Sequence, residues 1–173
     1  MFYANYDAPF GNIVLAGDSE GLRYLLFESG RQMTRWGGVP SEWIESPAEL
    51  AGVAQQLDEY FDGTRTEFDL QLAPEGTAFR LRVWNELCRI PFGETTSYGE
   101  IAGSIGQPTA SRAVGAANGD NPISIVVPCH RVIGSTGNLV GFGGGLSTKE
   151  WLLNHERNVL VRCDESQFAL VSH

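Results

Sequence analysis

A polar break at residues 69–77, "DLQLAPEGT", separates two stretches of this 173-residue chain that carry different hydrophobic patterns. Before it, two strand-length runs, "GNIVLAGD" (11–18) and "GLRYLLFE" (21–28), meet at Ser19-Glu20-Gly21, which is a hairpin signature. One amphipathic helix then spans 46–63. Leu50, Val53, Leu57, Tyr60 and Phe61 form its apolar stripe, Ser46 is placed to cap it, Pro47 suits its first turn and Gly63 closes it. Beyond the break the pattern is helical and repeatedly interrupted. "TAFRLRVWNELCRI" (77–90) puts Phe79, Val83 and Leu87 on one face behind Thr77 as N-cap. "SYGEIAGSIG" (97–106) opens with a Ser97–Glu100 capping box, and "TASRAVGAANG" (109–119) reads as a helix capped by Thr109 and ended by Gly119. Two short helices joined at Gly106-Gln107-Pro108 make a helix-turn-helix candidate. The chain is therefore expected to be α+β, with strands and one helix in an N-terminal unit and linker over 1–75 and a helix-turn-helix unit over 76–173.

After the turn at Asp120-Asn121-Pro122, "ISIVV" (123–127) is apolar and β-branched and reads as a buried strand. It delivers Pro128, Cys129 and His130 to a glycine-dense loop, "IGSTGNLVGFGGG" (133–145). A final helix begins at "STKEWLLNHE" with a second capping box, Ser147 and Glu150. Cys129 admits two readings: a small buried hydrophobe, or a nucleophile at the end of a strand, where reactive groups collect. A thiolate needs a basic or electropositive neighbour, and His130 and Arg131 follow directly. Neighbouring side chains on an extended segment point apart, so a proton would pass from Cys129 to His130 through a water. His155 or Glu156 could orient the imidazole. The glycine run has neither GxGxxG spacing nor a βαβ context, which argues against a phosphate loop. Cys88, Cys129 and Cys163 are widely separated without a CxxC pair, so no metal site is expected.

Composition narrows the class. With 42% apolar residues the chain can bury a real core, and three scattered cysteines fit a reducing cytoplasm better than a disulfide framework. No apolar stretch reaches membrane-spanning length, and the N-terminus has no signal-peptide pattern. The net charge of −9 is uneven: residues 1–75 hold 4 basic and 13 acidic side chains, whereas 76–173 hold 8 of each. A neutral second half predicts modest, salt-sensitive contact with nucleic acid rather than a strong basic clamp.

"PCHRV" (128–132), with "SRAVGAANGDNPISIVV" before it and "GFGGGLSTKEWLLNHE" after it, resembles the O6-alkylguanine-DNA alkyltransferases. The likeness is closest to the bacterial type without an extra N-terminal zinc domain. It extends over nearly the whole chain, since "APFGNIVLAGDSEGLRYLLF" resembles that family's opening strands. It implies a ribonuclease H-like N-terminal unit, an antiparallel sheet plus helix, followed by a winged-helix-like helix-turn-helix domain. It also implies an activity. A base carrying an alkyl group on O6 of guanine, or on O4 of thymine, is flipped out of duplex DNA, and the group passes irreversibly to a cysteine in one turnover. No cofactor is involved, and the protein is expected to act as a monomer on the minor groove of double-stranded DNA.

Residue by residue, the resemblance makes Cys129 the acceptor and His130 the group that takes its proton through a water. Glu156 orients His130, Tyr98 offers its hydroxyl to the departing base, and Asn121 is the hinge between the recognition helix and the active-site strand. Arg112 fills the gap left by the flipped base, and Ala113, Gly115, Ala116 and Ala117 let the backbone approach DNA. Val132, Phe142 and Gly143 line the pocket. Three departures stand out. Phe142 occupies a position that is tyrosine in many relatives. Asp120 puts a negative charge near the expected DNA face. The first 75 residues contain neither Cys nor His, so the structural zinc site of some relatives cannot form. Two other activities remain open to the residues alone: a module that binds alkylated bases without transferring the group, and a hydrolase built on Cys129, His130 and Glu156.

Overall fold

The computed structural model describes the backbone of residues 1–171 and the side chains of residues 1–163. Strands β1 (Phe2–Ala8), β2 (Gly11–Asp18) and β3 (Gly21–Phe27) form an antiparallel meander in which Phe2 faces Gly17 and Ile13 faces Phe27. The predicted hairpin is its second half. A short helix, α1 (Arg31–Trp36), and a two-residue strand, β4 (Ile44–Glu45), follow, with β4 pairing parallel to β1 in the order β3-β2-β1-β4. Alternation along the strands gives the sheet two apolar faces. Ile13, Leu15 and Leu25 enter the main core, while Val14 and Leu26 pack with Met33 of α1. Tyr24, Trp36 and Trp43 cover that smaller cluster, with ring centroids 5.3–5.6 Å apart.

The helix expected over 46–63 divides into a 3₁₀ turn (Pro47–Leu50) and α2 (Ala51–Asp62). The Ser46 side chain makes no capping bond, whereas Gly63 ends α2 in the left-handed region at φ 77°. The polar break is not a free linker. Leu22 N–H donates to the Gln71 carbonyl at 2.9 Å and Ala73 N–H to the Leu22 carbonyl at 2.9 Å, so the break pairs with the outer edge of β3. An edge strand presents unpaired backbone groups, and a neighbouring extended segment satisfies them.

Beyond the break lie α3 (Ala78–Leu87), α4 (Tyr98–Ser104) and α5 (Ser111–Gly119), packed on one another. Thr77 caps α3 by accepting from Arg80 N–H at 3.3 Å. The Ser97–Glu100 capping box of α4 is complete. Thr109 lies one residue too early to cap α5, which starts after Ala110 without a side-chain cap. Ala117 faces inward, its carbonyl accepting from Trp84 Nε1 at 2.8 Å, so it is not part of a DNA-facing surface. Two-residue strands β5 (Thr96–Ser97) and β6 (Val132–Ile133) pair in parallel. Helix α6 (Leu146–Val171) begins beyond Gly145 at φ 87°, which puts Ser147 inside its first turn and removes the expected second capping box.

The molecule is mixed α+β, with an N-terminal sheet unit and a C-terminal helical unit. Their buried side chains form one cluster: Ile13, Leu15 and Leu25 of the sheet, Leu57 and Tyr60 of α2, Val83 and Leu87 of α3, Ile123 and Ile125, and Leu152 of α6. None of the described helices is long and apolar enough to cross a membrane.

Candidate active site

Residues 123–127 do not form the expected strand. They make a tight buried turn, with Val127 N–H donating to the Ile123 carbonyl at 2.9 Å and Ile125 held at φ 72°. A β-branched residue in that region costs on the order of 1–3 kcal/mol, so the surroundings must impose it. Asn121 does so from within: its Oδ1 accepts from Ile123 N–H at 3.0 Å and its Nδ2 donates to the Val127 carbonyl at 2.8 Å. The sheet does so from outside, because Leu25 N–H donates to the Pro122 carbonyl at 2.9 Å and its own carbonyl accepts from Ser124 N–H at 3.1 Å. Asn121 thus braces the turn. Pro128 then leads into a 3₁₀ turn over Cys129–Arg131.

Cys129 is 3% exposed, and His130 and Glu156 are fully buried. His130 Nε2 lies 2.8 Å from Glu156 Oε1. The same carboxylate accepts from Arg131 Nη2 at 2.9 Å, from Arg131 Nε at 3.0 Å, from Tyr60 Oη at 2.8 Å and from Gly93 N–H at 2.9 Å. Burial alone would raise the Glu156 carboxyl. The hydrogen bonds and charges of His130 and Arg131 overcome it and hold the group well below the usual carboxylate range. An ionised carboxylate only accepts, so Nε2 must carry the hydrogen and Nδ1 keeps its lone pair. That Nδ1 is buried and makes no hydrogen bond to any described residue. Burial also pushes His130 below its ordinary value, which leaves it a neutral base.

Burial raises the Cys129 thiol, against hydrogen bonds from Asn121 and Ser124 and the charge of Lys149. Lys149 was not singled out in the sequence. It is fully buried, and its Nζ donates to the Val132 carbonyl at 2.6 Å and the Val140 carbonyl at 2.8 Å, which ties the glycine-rich loop to α6. Lys149, Leu152, Glu156 and Val159 all lie on the buried side of α6. That i, i+3, i+7, i+10 stripe was readable as a helix face with two ionisable groups turned inward.

Two clefts meet at Tyr98, and neither is lined by Cys129, His130 or Glu156. One, of about 520 Å³, is lined by Tyr98, Ser111, Arg112, Gly115, Val140 and Gly141 among others. The other, of about 270 Å³, is lined by Arg31, Tyr98, Ala116, Asp120, Phe142 and Gly143 among others. Tyr98 stands at both, its hydroxyl 3.3 Å from the Val140 carbonyl, and Cys129 lies close enough behind it that a thiolate there acts on the phenol. Arg112, Ala113 and Ala116 are exposed on α5, and Gly115 lies against the Tyr98 ring. Val132 is buried beneath the site, and the Phe142 ring packs on Phe27 and faces His130. The Asp120 carboxylate pairs with Arg80, which offsets the charge that the sequence placed on this face. Arg31, from the acidic half, is a further cation at the cleft that sequence reasoning missed.

The chain matches two family models: "6-O-methylguanine DNA methyltransferase, ribonuclease-like domain" over residues 1–74 and "6-O-methylguanine DNA methyltransferase, DNA binding domain" over residues 78–158. It is 52% identical to the methylated-DNA–protein-cysteine methyltransferase of Methanosarcina acetivorans over 156 residues, 90% of this chain and 98% of that protein. The chain belongs to the 6-O-methylguanine DNA methyltransferase family. The methylated-DNA–protein-cysteine methyltransferase of Mycolicibacterium paratuberculosis is 51% identical over 156 residues, 90% of this chain and 92% of that one. Among solved structures, Mycobacterium tuberculosis OGT in complex with DNA superposes with a TM-score of 0.85 at 46% identity, covering 92% of this chain and 94% of the other.

Stability and site electrostatics share the same groups here. His130 and Glu156 both have folded values below their unfolded ones. The stability each contributes is present above its unfolded value, about 6.5 for His and about 4.3 for Glu, and is lost as pH falls below it. Cys129 is shifted upward, so its contribution is lost as pH rises past about 8.5. Urea midpoints should therefore peak between those limits and fall at pH ~5.5 and ~9.5, the acid side dropping further below pH ~4.3. A flat profile across this range contradicts these assignments.

Proposed function

We propose that this chain repairs DNA by taking an alkyl group from O6 of guanine, and from O4 of thymine, onto the sulfur of Cys129, once per molecule. The observation that carries this reading is the bare, buried Nδ1 of a neutral His130 next to that thiol in the chain, with Glu156 saturated by donors behind it. The Cys129 S–H bond breaks and its proton passes to Nδ1, through a water or directly, while the electron pair stays on sulfur. Glu156, itself held by Arg131, stabilises the resulting imidazolium, and Lys149 lies near enough to act on the sulfur's charge. The thiolate attacks the alkyl carbon in line, an S–C bond forms and the C–O bond breaks. The departing guanine takes up one proton and His130 releases the one it gained, by way of solvent, with the Tyr98 hydroxyl beside the base to stabilise its charge. The thioether has no route back to a thiol, so each molecule acts once.

An alkylated O6 is out of reach inside a duplex, so the base must leave the stack at a cost of a few kcal/mol. With Cys129 at 3% exposure, the base reaches the sulfur only as the side chains over it shift. Exposed Arg112 at the start of α5 fills the vacated place, and the small side chains Ala113, Gly115 and Ala116 bring this helix against the minor groove. The residues flanking Arg112 have no long base-reading side chains, which suits binding that must ignore sequence. Family models that end at 74 and begin at 78 support a division near residue 75, with residues 76–173 binding DNA and receiving the alkyl group. The described cysteines are all free, which favours a cytoplasmic protein, and we take it to act as a monomer.

Stoichiometry tests the reading. With excess duplex containing O6-methylguanine, methyl groups transferred should rise to the amount of protein and stop there. Continued turnover, or lesion binding without transfer, would refute it. Arg112→Ala should slow repair in duplex by about 10²-fold or more while slowing reaction with the free modified base by less than about threefold, since only the duplex requires flipping. Equal losses on the two substrates would remove Arg112 from that role.

A further inference from the structure

Tyr60 belongs to α2, in the half of the chain that the chemistry above otherwise leaves idle. Its ring is fully buried among Phe61, Phe68, Phe92 and His155, and its backbone carbonyl accepts from His155 Nε2 at 2.8 Å. Core packing accounts for the ring. It does not account for where the hydroxyl ends, which is 2.8 Å from Glu156 Oε1, the oxygen that also accepts from His130 Nε2 at 2.8 Å. One carboxylate oxygen thus serves Tyr60 of the N-terminal sheet unit, the proposed base and Arg131 Nη2 at 2.9 Å.

We infer that Tyr60 is a positioning residue of the transfer reaction, holding Glu156 and drawing off part of its negative charge so that His130 stays neutral and ready for the Cys129 proton; this rests on the function proposed above. The step concerned is a proton transfer alone. The S–H bond of Cys129 breaks, the proton goes to His130 Nδ1, the electron pair remains on sulfur, and Nε2–H stays bonded to Glu156. Tyr60 gives up no proton: burial and then the Glu156 charge keep its phenol well above the ordinary value, so it donates at every working pH.

The groups that act on His130 can be named. Glu156 and Lys149 act on it from α6, Arg131 from its own turn, and Tyr60 from α2 by way of Glu156. His155 bonds the Tyr60 carbonyl rather than its hydroxyl and is not in the chain of contacts. Arg131 and Lys149 both oppose an imidazolium, and only Glu156 favours one. The Tyr60 hydroxyl competes for the single group that favours protonation. Removing it concentrates charge on Oε1 and lets His130 protonate at higher pH.

The test follows the His130 ring by nitrogen NMR and, in the same full-length protein, the transfer rate on O6-methylguanine duplex against pH. Tyr60→Phe should raise the His130 midpoint by about one pH unit, the scale of one charge-assisted hydrogen bond, and carry the acid limb of the rate profile up with it. Ring-fluorinated tyrosine at position 60, a stronger donor of nearly the same shape, should move both the opposite way. It also keeps the hydroxyl and its bond to Glu156 if Tyr60→Phe folds poorly. An unmoved His130 midpoint in either folded variant overturns the inference, even if the rate falls uniformly, and so does a midpoint that moves without the acid limb. If the unaltered protein transfers nothing, the proposed function fails, while the NMR midpoints still decide whether Tyr60 controls His130.

Discussion

Cys129→Ser is expected to lower the single-turnover rate of alkyl transfer by at least about 10⁴-fold, the scale on which an enzyme loses its nucleophile. A hydroxyl is a harder nucleophile with a much higher pKa, and the neutral His130 is too weak a base to ionise it. The change is nearly isosteric. The backbone bonds that shape the turn, Cys129 N–H to the Val127 carbonyl at 2.8 Å and Asn118 Nδ2 to the Cys129 carbonyl at 3.4 Å, do not involve the sulfur. Affinity for a lesion-bearing duplex should therefore change by less than about tenfold, under 1.4 kcal/mol. Rapid-quench transfer assays and equilibrium binding on the same duplex check both halves. Transfer that persists in this variant would assign the acceptor elsewhere.

Glu156→Gln should be the most damaging isosteric change in the core. Among the described residues the carboxylate is the sole anion facing buried Arg131 and His130, and it also receives Tyr60 and Gly93 N–H. An amide cannot match that set, because one of its two polar ends is itself a donor. Arg131 is left buried opposite a neutral group, a situation that costs about 3–5 kcal/mol. For a chain of this size such a loss lowers the melting temperature by on the order of 10 °C. Part of the effect disappears in acid, where the native carboxylate loses its own advantage. Calorimetry at pH ~7.5 and ~4 measures both, and a shift below about 2 °C at neutral pH would mean that Arg131 is satisfied without Glu156.

Local signals in this sequence held where the chain makes its own hydrogen bonds. The Thr77 cap of α3 and the Ser97–Glu100 box of α4 need only residues three apart, and both form as read. Gly63 ends α2 for an equally local reason. The readings that failed depended on distant partners. "ISIVV" has the composition of a strand, but Asn121 from within and Leu25 from the sheet close it into a turn and force Ile125 left-handed. "DLQLAPEGT" has the composition of a linker, yet the open edge of β3 recruits it. Thr109 and Ser147 are good capping residues one or two positions from where the helices begin, because tertiary packing rather than the cap sets those ends.

The candidate site shows the same division. The resemblance names Cys129, His130, Glu156, Tyr98 and Arg112 as candidates, and the structure brings His130 to Glu156 and sets Arg112 and Tyr98 at one cleft. Glu156, rather than His155, is the residue that meets the imidazole. His155 instead stacks on Trp151 and bonds the Tyr60 carbonyl. Tyr60 and Lys149 were not legible as site residues. Tyr60 sits on an apolar helical stripe, and only where its hydroxyl ends after folding separates it from the core; Lys149 was readable as a cation turned inward, but not as one near the Cys129 sulfur.

Peptide mapping by mass spectrometry, after one equivalent of O6-methylguanine duplex has reacted to completion, bears most directly on Cys129 as the acceptor. One added methyl group on the peptide containing Cys129, with Cys88 and Cys163 unmodified and normal guanine left in the DNA, is the expected result. A methyl group on any other residue, or DNA repaired with no mass gained by the protein, would contradict it.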